Sequence, residues 1–211
     1  MTVQRSLLAL VIVGAAVLSA GLAGCAQKQK PALDVAPSPS ATADVAISKA
    51  KTEYTDALKK AKDWQQNATL SRVYRQFKGT LNPEKPTLTF GFASLADPKQ
   101  SYEVTFTGDD DVDDKKGEKK SFELAFTPID VSKWNVDPDS ALQTAEKDGG
   151  GQAFREQHLA GYTVLQQLAA AAGHPLQWYF RYDTGDGSNK RYDVYVNAST
   201  GAVDLKREVS R

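Results

Sequence analysis

The spacing of apolar residues along the chain first has the period of a helix and then the period of strands. From Asp44 to Gln66, apolar residues recur every three or four positions, which predicts an amphipathic helix with Asp44 as its N-cap. Apolar and polar residues then alternate in four segments, which predicts strands with one apolar face. These segments are 72–77, 88–92, 102–106 and 122–126. The helix and the strands can bury one another's apolar faces.

The second part of the chain repeats this order. Asp137 is a good N-cap and Pro138 suits the first helical turn, so a helix is predicted there, with a shorter helical piece at 154–159. The glycines at 149–151 end or bend the first of these helices. Strands are predicted at 178–182, 192–196 and 202–205. The segment 162–168 is ambiguous, because its β-branched start favours a strand and the alanines at 169–172 favour a helix; a strand is the favoured interpretation. The repeated order predicts an α+β fold of two small lobes, 44–131 and 132–211, each an antiparallel sheet packed against a helix.

The N-terminal segment has the pattern of a cleaved export signal. Arg5 is the only charge in residues 1–24, and an uncharged apolar run follows from Leu7 to Leu18. This run is shorter than the roughly 20 residues that span a bilayer as a helix. Residues 25–43 are rich in Pro, Ser and Ala without apolar periodicity, which predicts a flexible linker.

The four residues Leu22-Ala23-Gly24-Cys25 resemble the lipobox of bacterial lipoproteins. The resemblance implies a diacylglyceryl thioether on Cys25, cleavage before it and an acyl chain such as palmitate on the new N-terminus. Two or three acyl chains anchor a protein stably, whereas one is marginal. The implied location is the bacterial cell envelope, with the folded part outside the cytoplasm. The alternative is an ordinary secretory signal with an incidental cysteine near the cleavage site.

Charge and cysteine content exclude several classes of protein. Removal of residues 1–24 leaves 25 basic against 26 acidic residues, which argues against a nucleic-acid binder. Cys25 is the only cysteine, so no disulfide forms within the chain and a packed core must supply stability. The chain contains none of the Gly-x-Ser-x-Gly, P-loop or Gly-x-Gly-x-x-Gly motifs. The protein is therefore predicted not to be an enzyme and to have no cofactor.

The second half of the chain has two recognisable motifs. They are the helix opening Asp137-Pro138-Asp139-Ser140-Ala141-Leu142 and the closing hairpin from Trp178 to Val203, with its Asn197 and Thr200-Gly201 turn. On these motifs, residues 134–207 resemble a PepSY-type domain, which is cystatin-like. The segment 149–175 is longer and richer in Gly and Ala than the family pattern. The resemblance implies a binding or peptidase-modulating module.

Two polar loops and the two histidines are candidate metal ligands. The acidic run Asp109–Asp114 does not have the spacing of a calcium loop, and the lysines that follow neutralise it, so a solvated hairpin loop over 108–120 is favoured. Residues 183–189 are favoured as a hairpin turn. His158 and His174 share no ligand spacing. No metal site is predicted.

Two tyrosines fall on the opposite phase from the apolar residues of their strands. Tyr179 and Tyr195 are therefore predicted on the solvent-exposed face of the sheet, beside Arg181 and Arg191. Exposed aromatics with arginines form a candidate contact patch. The alternative is partial cover by a loop or by the other lobe.

The preferred hypothesis is a lipid-anchored, non-enzymatic envelope protein. It would bind the membrane through Cys25 and an envelope protein or peptidase through this patch. One alternative is a carrier of a small ligand or metal in the cleft between the lobes. Another is a hydrolase whose site the sequence does not reveal.

Overall fold

The described part of the chain forms one large sheet with helices on one face. The computed structural model describes residues 39–94, 96–97, 99–108, 111–118, 127–158, 161–185 and 187–210. The helices are α1 (Pro39–Trp64), α2 (Pro138–Lys147) and α3 (Gly151–Glu156). The strands are β1 (Ala68–Lys78), β2 (Thr87–Ser94), β3 (Gln100–Thr107), β4 (Asp111–Glu118), β5 (Tyr162–Ala169), β6 (Gln177–Thr184), β7 (Lys190–Asn197) and β8 (Val203–Ser210).

The predicted division into two lobes with separate sheets is wrong. The eight strands form a single antiparallel sheet in the order β4-β3-β2-β1-β5-β6-β7-β8. β1 and β5 join its halves, with Val73 opposite Leu168 and Phe77 opposite Val164. Separate lobes would leave β1 and β5 as open edges, whose backbone N–H and C=O groups lack partners. Pairing the two strands satisfies these groups, and we call this β1–β5 pairing the seam.

One hydrophobic core runs beneath the helices across the seam. Trp134, which precedes α2, packs between Phe90 of β2 and Trp178 of β6, with ring centroids 6.5 and 5.9 Å apart. The indole N–H groups of Trp134 and Trp178 both donate to the Val136 carbonyl at 2.9 Å. Buried indoles need such acceptors. The core is therefore shared between the halves.

Most of the predicted elements are confirmed, with different boundaries. Asp137 caps α2 by accepting from the backbone N–H groups of Asp139 and Ser140, as predicted. The ambiguous segment from Tyr162 is a strand, as favoured. Helix α1 begins at Pro39, so Asp44 lies inside it and is not its N-cap. Residues 1–38, which include the predicted signal, Cys25 and most of the linker, and the predicted strand at 122–126 lie outside the described residues.

The predicted hairpin loop over 108–120 is wrong, because Asp111–Glu118 is the edge strand β4. Aspartate and lysine have low strand propensity. Contacts to neighbouring elements compensate for it. Asp114 accepts from the Tyr102 hydroxyl at 2.7 Å, and Lys115 lies 3.0 Å from Glu103. Charged side chains also protect a sheet edge from pairing with other chains.

Candidate interaction surface

The sheet has a second face that carries polar and aromatic side chains. In β7, Val194 and Val196 are buried against the helices, so Arg191, Asp193 and Tyr195 project from the opposite side. We call that side the open face. Its tyrosines are half-buried by their neighbours in the sheet.

Tyr179 and Tyr195 form a pair on the open face, as the alternation predicts. They lie directly opposite each other in β6 and β7, with ring centroids 4.9 Å apart and planes inclined by 32°. The Tyr179 hydroxyl donates to Asp193 Oδ1 at 2.8 Å. The hydrogen bond and the ring contact together fix the orientation of Tyr179.

Asp193 organises this region, although the sequence pattern does not distinguish it from the other polar residues of its strand. Its side chain is 0% exposed. Arg191 Nη2 donates to Oδ2 at 3.1 Å, and Arg207 Nε of β8 donates to the same oxygen at 3.4 Å. Arg191 Nε lies 3.1 Å from Oδ1 without hydrogen-bond alignment, so that contact is electrostatic. A buried carboxylate is costly unless it is paired in this way.

The same environment changes the acidity of Tyr179. Burial raises the pKa of its phenol, and the hydrogen bond to Asp193 and the charge of that carboxylate raise it further. The hydroxyl is therefore a hydrogen-bond donor committed to Asp193 over the physiological pH range. Tyr179 offers its ring, and not a phenolate, to a partner.

Arg181 belongs to the predicted patch but pairs with Asp183 and not with Asp193. Its Nε donates to Asp183 Oδ2 at 2.7 Å, two residues along the same strand. The structure therefore brings Tyr179, Tyr195 and Arg191 together around Asp193, with Arg181 beside them.

Leu205 extends the aromatic pair to the edge of the sheet and was also missed. It lies opposite Tyr195 in the register of β7 and β8 and is 47% exposed. Tyr179, Tyr195 and Leu205 thus form a row across three strands, which we call the apolar row. The predicted turn before β8 gave no indication that Leu205 would face outwards, because a β-bulge shifts the register between Tyr195 and Val196.

A second buried carboxylate with basic partners lies on the open face, in the half of the sheet formed by β1–β4. Glu103 of β3 is 7% exposed and contacts Arg72 at 2.6 Å and Lys115 at 3.0 Å. The Tyr74 hydroxyl donates to Glu103 Oε1 at 3.1 Å. Burial acts to raise the pKa of Glu103, but the hydrogen bonds and charges of Lys115 and Arg72 outweigh it and hold the pKa below its usual value.

The remaining candidates for chemistry are not brought together. Within the described ranges, no three His, Cys, Asp or Glu side chains are placed to hold a metal ion. The turn predicted over 183–189 is confirmed with a later start, because β6 extends to Thr184 and β7 begins at Lys190. Asn189, just before β7, has φ 54°. His158 packs on the Phe154 ring, and His174 lies in the β5–β6 connection.

Because the described strands form one continuous sheet, this part of the chain has no separate lobes and no cleft between lobes. A cavity of about 130 Å³ lies instead on the helix side, where α1 and the start of α2 approach β1. Arg75 and Asp139 contribute charged groups to its lining. The cavity lies on the opposite side of the sheet from the apolar row, and its sheet residues belong to β1–β3, whereas the row belongs to β6–β8.

No family model and no curated protein match the chain. Among solved structures, it is similar to the crystal structure of a protein from Clostridium difficile 630 that is provisionally assigned as a lipoprotein. The two chains are 19% identical, and the TM-score is 0.46. The similarity covers 74% of this chain and 92% of the other. The lipobox and the PepSY-type resemblance stay predictions from sequence. None of the described helices is long and apolar enough to cross a membrane.

Proposed function

We propose that the protein is a lipid-anchored, non-enzymatic envelope protein that binds another envelope protein through the apolar row. The Tyr179–Tyr195 pair, fixed by the buried carboxylate of Asp193, carries the proposal. In the peptidase-modulating form of this proposal, which the PepSY resemblance implies, the envelope protein that is bound is a peptidase.

The chemistry of the row suits a protein partner. Tyrosine rings supply contact area with few rotatable bonds, so little side-chain entropy is lost when a partner covers them. Tyr179 is already held by its hydrogen bond, and Leu205 is half-exposed beside the pair. Arg191 and Arg207 rim the row, and arginine with tyrosine is the composition typical of binding hot spots.

Anchoring restricts where the partner can be. Thirteen residues separate Cys25 from the start of α1 at Pro39. At about 3.5 Å per residue, they reach at most about 45 Å when extended. A partner that contacts the apolar row must therefore lie close to the membrane surface.

The interaction is tested by cross-linking in intact envelopes, followed by solubilisation and capture of the tagged protein. The variants are Tyr179→Ala with Tyr195→Ala, and Tyr74→Ala as a matched control. Tyr74 is also a half-buried open-face tyrosine bonded to a buried carboxylate, but it lies in the other half. We expect a cross-linked species that the double variant loses and the control keeps. The proposal is refuted if the wild type, the double variant and the control all give the same cross-linked species while circular dichroism shows that each is folded.

The anchor is tested separately with Cys25→Ser. We expect the wild-type protein in the membrane fraction, with an N-terminal peptide whose mass includes the acyl groups, and the variant in the soluble fraction. A wild-type N-terminal peptide starting at an unmodified Cys25 would contradict lipidation.

A further inference from the structure

A charged side chain lies in the core at the seam. Arg75 of β1 shares the helix face of its strand with Val73 and Phe77 and is only 8% exposed. Its guanidinium carbon lies 4.9 Å from the centroid of the Phe77 ring. A buried charge requires hydrogen bonds and a counter-charge to be tolerated.

Two neighbours fix the guanidinium of Arg75. Its Nε donates to Oε1 of Gln166 in β5 at 2.7 Å, and Nη2 donates to Oδ1 of Asp139 in α2 at 2.7 Å. Gln166 is fully buried and is itself held, because its Nε2 donates to the Pro138 carbonyl at 2.6 Å. The guanidinium is therefore oriented by β5 on one side and by the start of α2 on the other.

These contacts use only part of the donor capacity of Arg75. A guanidinium has five N–H groups, and the described residues accept from Nε and from Nη2. The counter-charge is also not buried, since the Asp139 side chain is 66% exposed. Asp139 can therefore turn into solvent and leave the end of the guanidinium accessible.

Arg75 and Asp139 both line the cavity of about 130 Å³ on the helix side. Leu88, Phe106 and Pro138 give the cavity apolar walls. Lys49 and Glu53 of α1 also line the cavity. A concave apolar site with a few fixed polar groups is the usual form of a small-molecule site.

We propose that this cavity binds a small organic monocarboxylate. The ligand carboxylate takes the place of Asp139 on Arg75, because a guanidinium matches the planar geometry of a carboxylate. Its hydrocarbon part lies against Leu88 and Phe106. Asp139 and Glu53 disfavour ligands with several negative charges, so a phosphate binds less well than a monocarboxylate. The site lies on the opposite face of the sheet from the apolar row and is independent of it.

The test uses isothermal titration of the detergent-solubilised full chain with benzoate, butyrate, inorganic phosphate and benzamide. Benzamide has the shape of benzoate without its charge. We expect the two carboxylates to bind with a 1:1 stoichiometry, and phosphate and benzamide to bind at least ten-fold more weakly. NMR spectra are expected to show the shift of the Arg75 Nε–H resonance on addition of benzoate.

Two substitutions have opposite expected effects. Arg75→Gln should weaken benzoate binding at least ten-fold, because the cation is lost. Asp139→Asn should strengthen it several-fold, because the competing carboxylate is lost while its exposed position makes the substitution easy to accommodate. The Asp139 variant keeps the test decisive if Arg75→Gln does not fold.

Three results would overturn the proposal. They are the absence of saturable carboxylate binding at millimolar concentrations, phosphate binding as tight as benzoate binding, and benzoate binding unchanged by Asp139→Asn.

Discussion

Glu103 and Asp193 occupy equivalent positions in the two halves of the sheet. Each is a buried carboxylate on the open face, in the third strand of its half. Each lies opposite a cation of the adjoining edge strand, Lys115 for Glu103 and Arg207 for Asp193. The relationship explains why both carboxylates can be buried, since each edge strand supplies a partner of opposite charge.

The residues next to Glu103 and Asp193 are also equivalent in the two halves. Glu103 lies between Tyr102 and Val104, and Asp193 lies between Tyr192 and Val194. Each carboxylate also accepts a tyrosine hydroxyl from the open face. The order of helix and then strands thus recurs in the two halves, but in a single sheet in place of the two predicted, and β4 of the first half is not the strand predicted there.

Removal of the Asp193 charge should destabilise the protein. Asp193→Asn keeps the shape but leaves Arg191 and Arg207 without their counter-charge, so we expect a loss of about 2 kcal/mol in the free energy of unfolding. Urea unfolding at pH 7 measures it. Lys190→Met is the control, because it breaks only the half-exposed pair with Glu208 and should cost less than about 1 kcal/mol. Equal losses for both variants would show that Asp193 has no special role.

Acid should weaken the ion pairs that Glu103 forms with Arg72 and Lys115. Because the pKa of Glu103 is lower in the folded than in the unfolded chain, its contribution to stability is complete above the ordinary glutamate pKa of about 4.3. It is lost as the pH falls through the lowered folded value. Urea midpoints measured below pH 5 should therefore fall less steeply for Glu103→Gln than for the wild type. Lys115→Met should move the acid transition to higher pH, and parallel curves for all three proteins would contradict this account.

The N-cap of α2 should contribute measurably to stability. Asp137 is buried and accepts two backbone N–H groups, so Asp137→Ala should lower the free energy of unfolding by about 1 kcal/mol. Asp137→Ser retains a capping oxygen and should recover part of the loss. A serine variant no more stable than the alanine variant would assign the effect to something other than capping.

Gly151 at the start of α3 should not tolerate a side chain. A Cβ there would overlap the Tyr182 hydroxyl oxygen and lie 2.5 Å from Cζ of its ring. Alanine gains up to about 1 kcal/mol in helix propensity, but overpacking against a buried ring costs about 1–3 kcal/mol. We expect Gly151→Ala to lower the thermal midpoint, whereas Gly117→Ala meets only the Ser101 hydroxyl at 3.2 Å and should change it little.

The sequence predicts local structure well where burial decides it. Alternation of apolar residues locates β2, β3, β6 and β7 and assigns Phe90 and Trp178 to the core, which the structure confirms. The same alternation assigns Tyr179 and Tyr195 to the opposite face. These predictions succeed because side chains one residue apart in a strand must point to opposite sides.

Features that depend on distant residues were not predictable. Strand β4 has no apolar alternation, and it is held by contacts such as that of Asp114 with Tyr102. Asp193 appears as one more polar residue until Arg207 is brought opposite it. The seam depends on the pairing of two strands that have no distinctive sequence signal. A one-dimensional pattern indicates which face is buried, but not which strand lies next to it.

The seam also has a consequence for how the chain folds. In the described sheet, β1–β5 is the only pairing that joins strands not consecutive in the sequence, and Arg75 and Gln166 across it are 91 residues apart. Every other pairing closes a short loop, so each half can form as a local meander before the halves meet. Distant pairings carry the largest loop-closure cost and form slowly. We therefore expect substitutions at the seam to accelerate unfolding while leaving the early steps of folding unchanged.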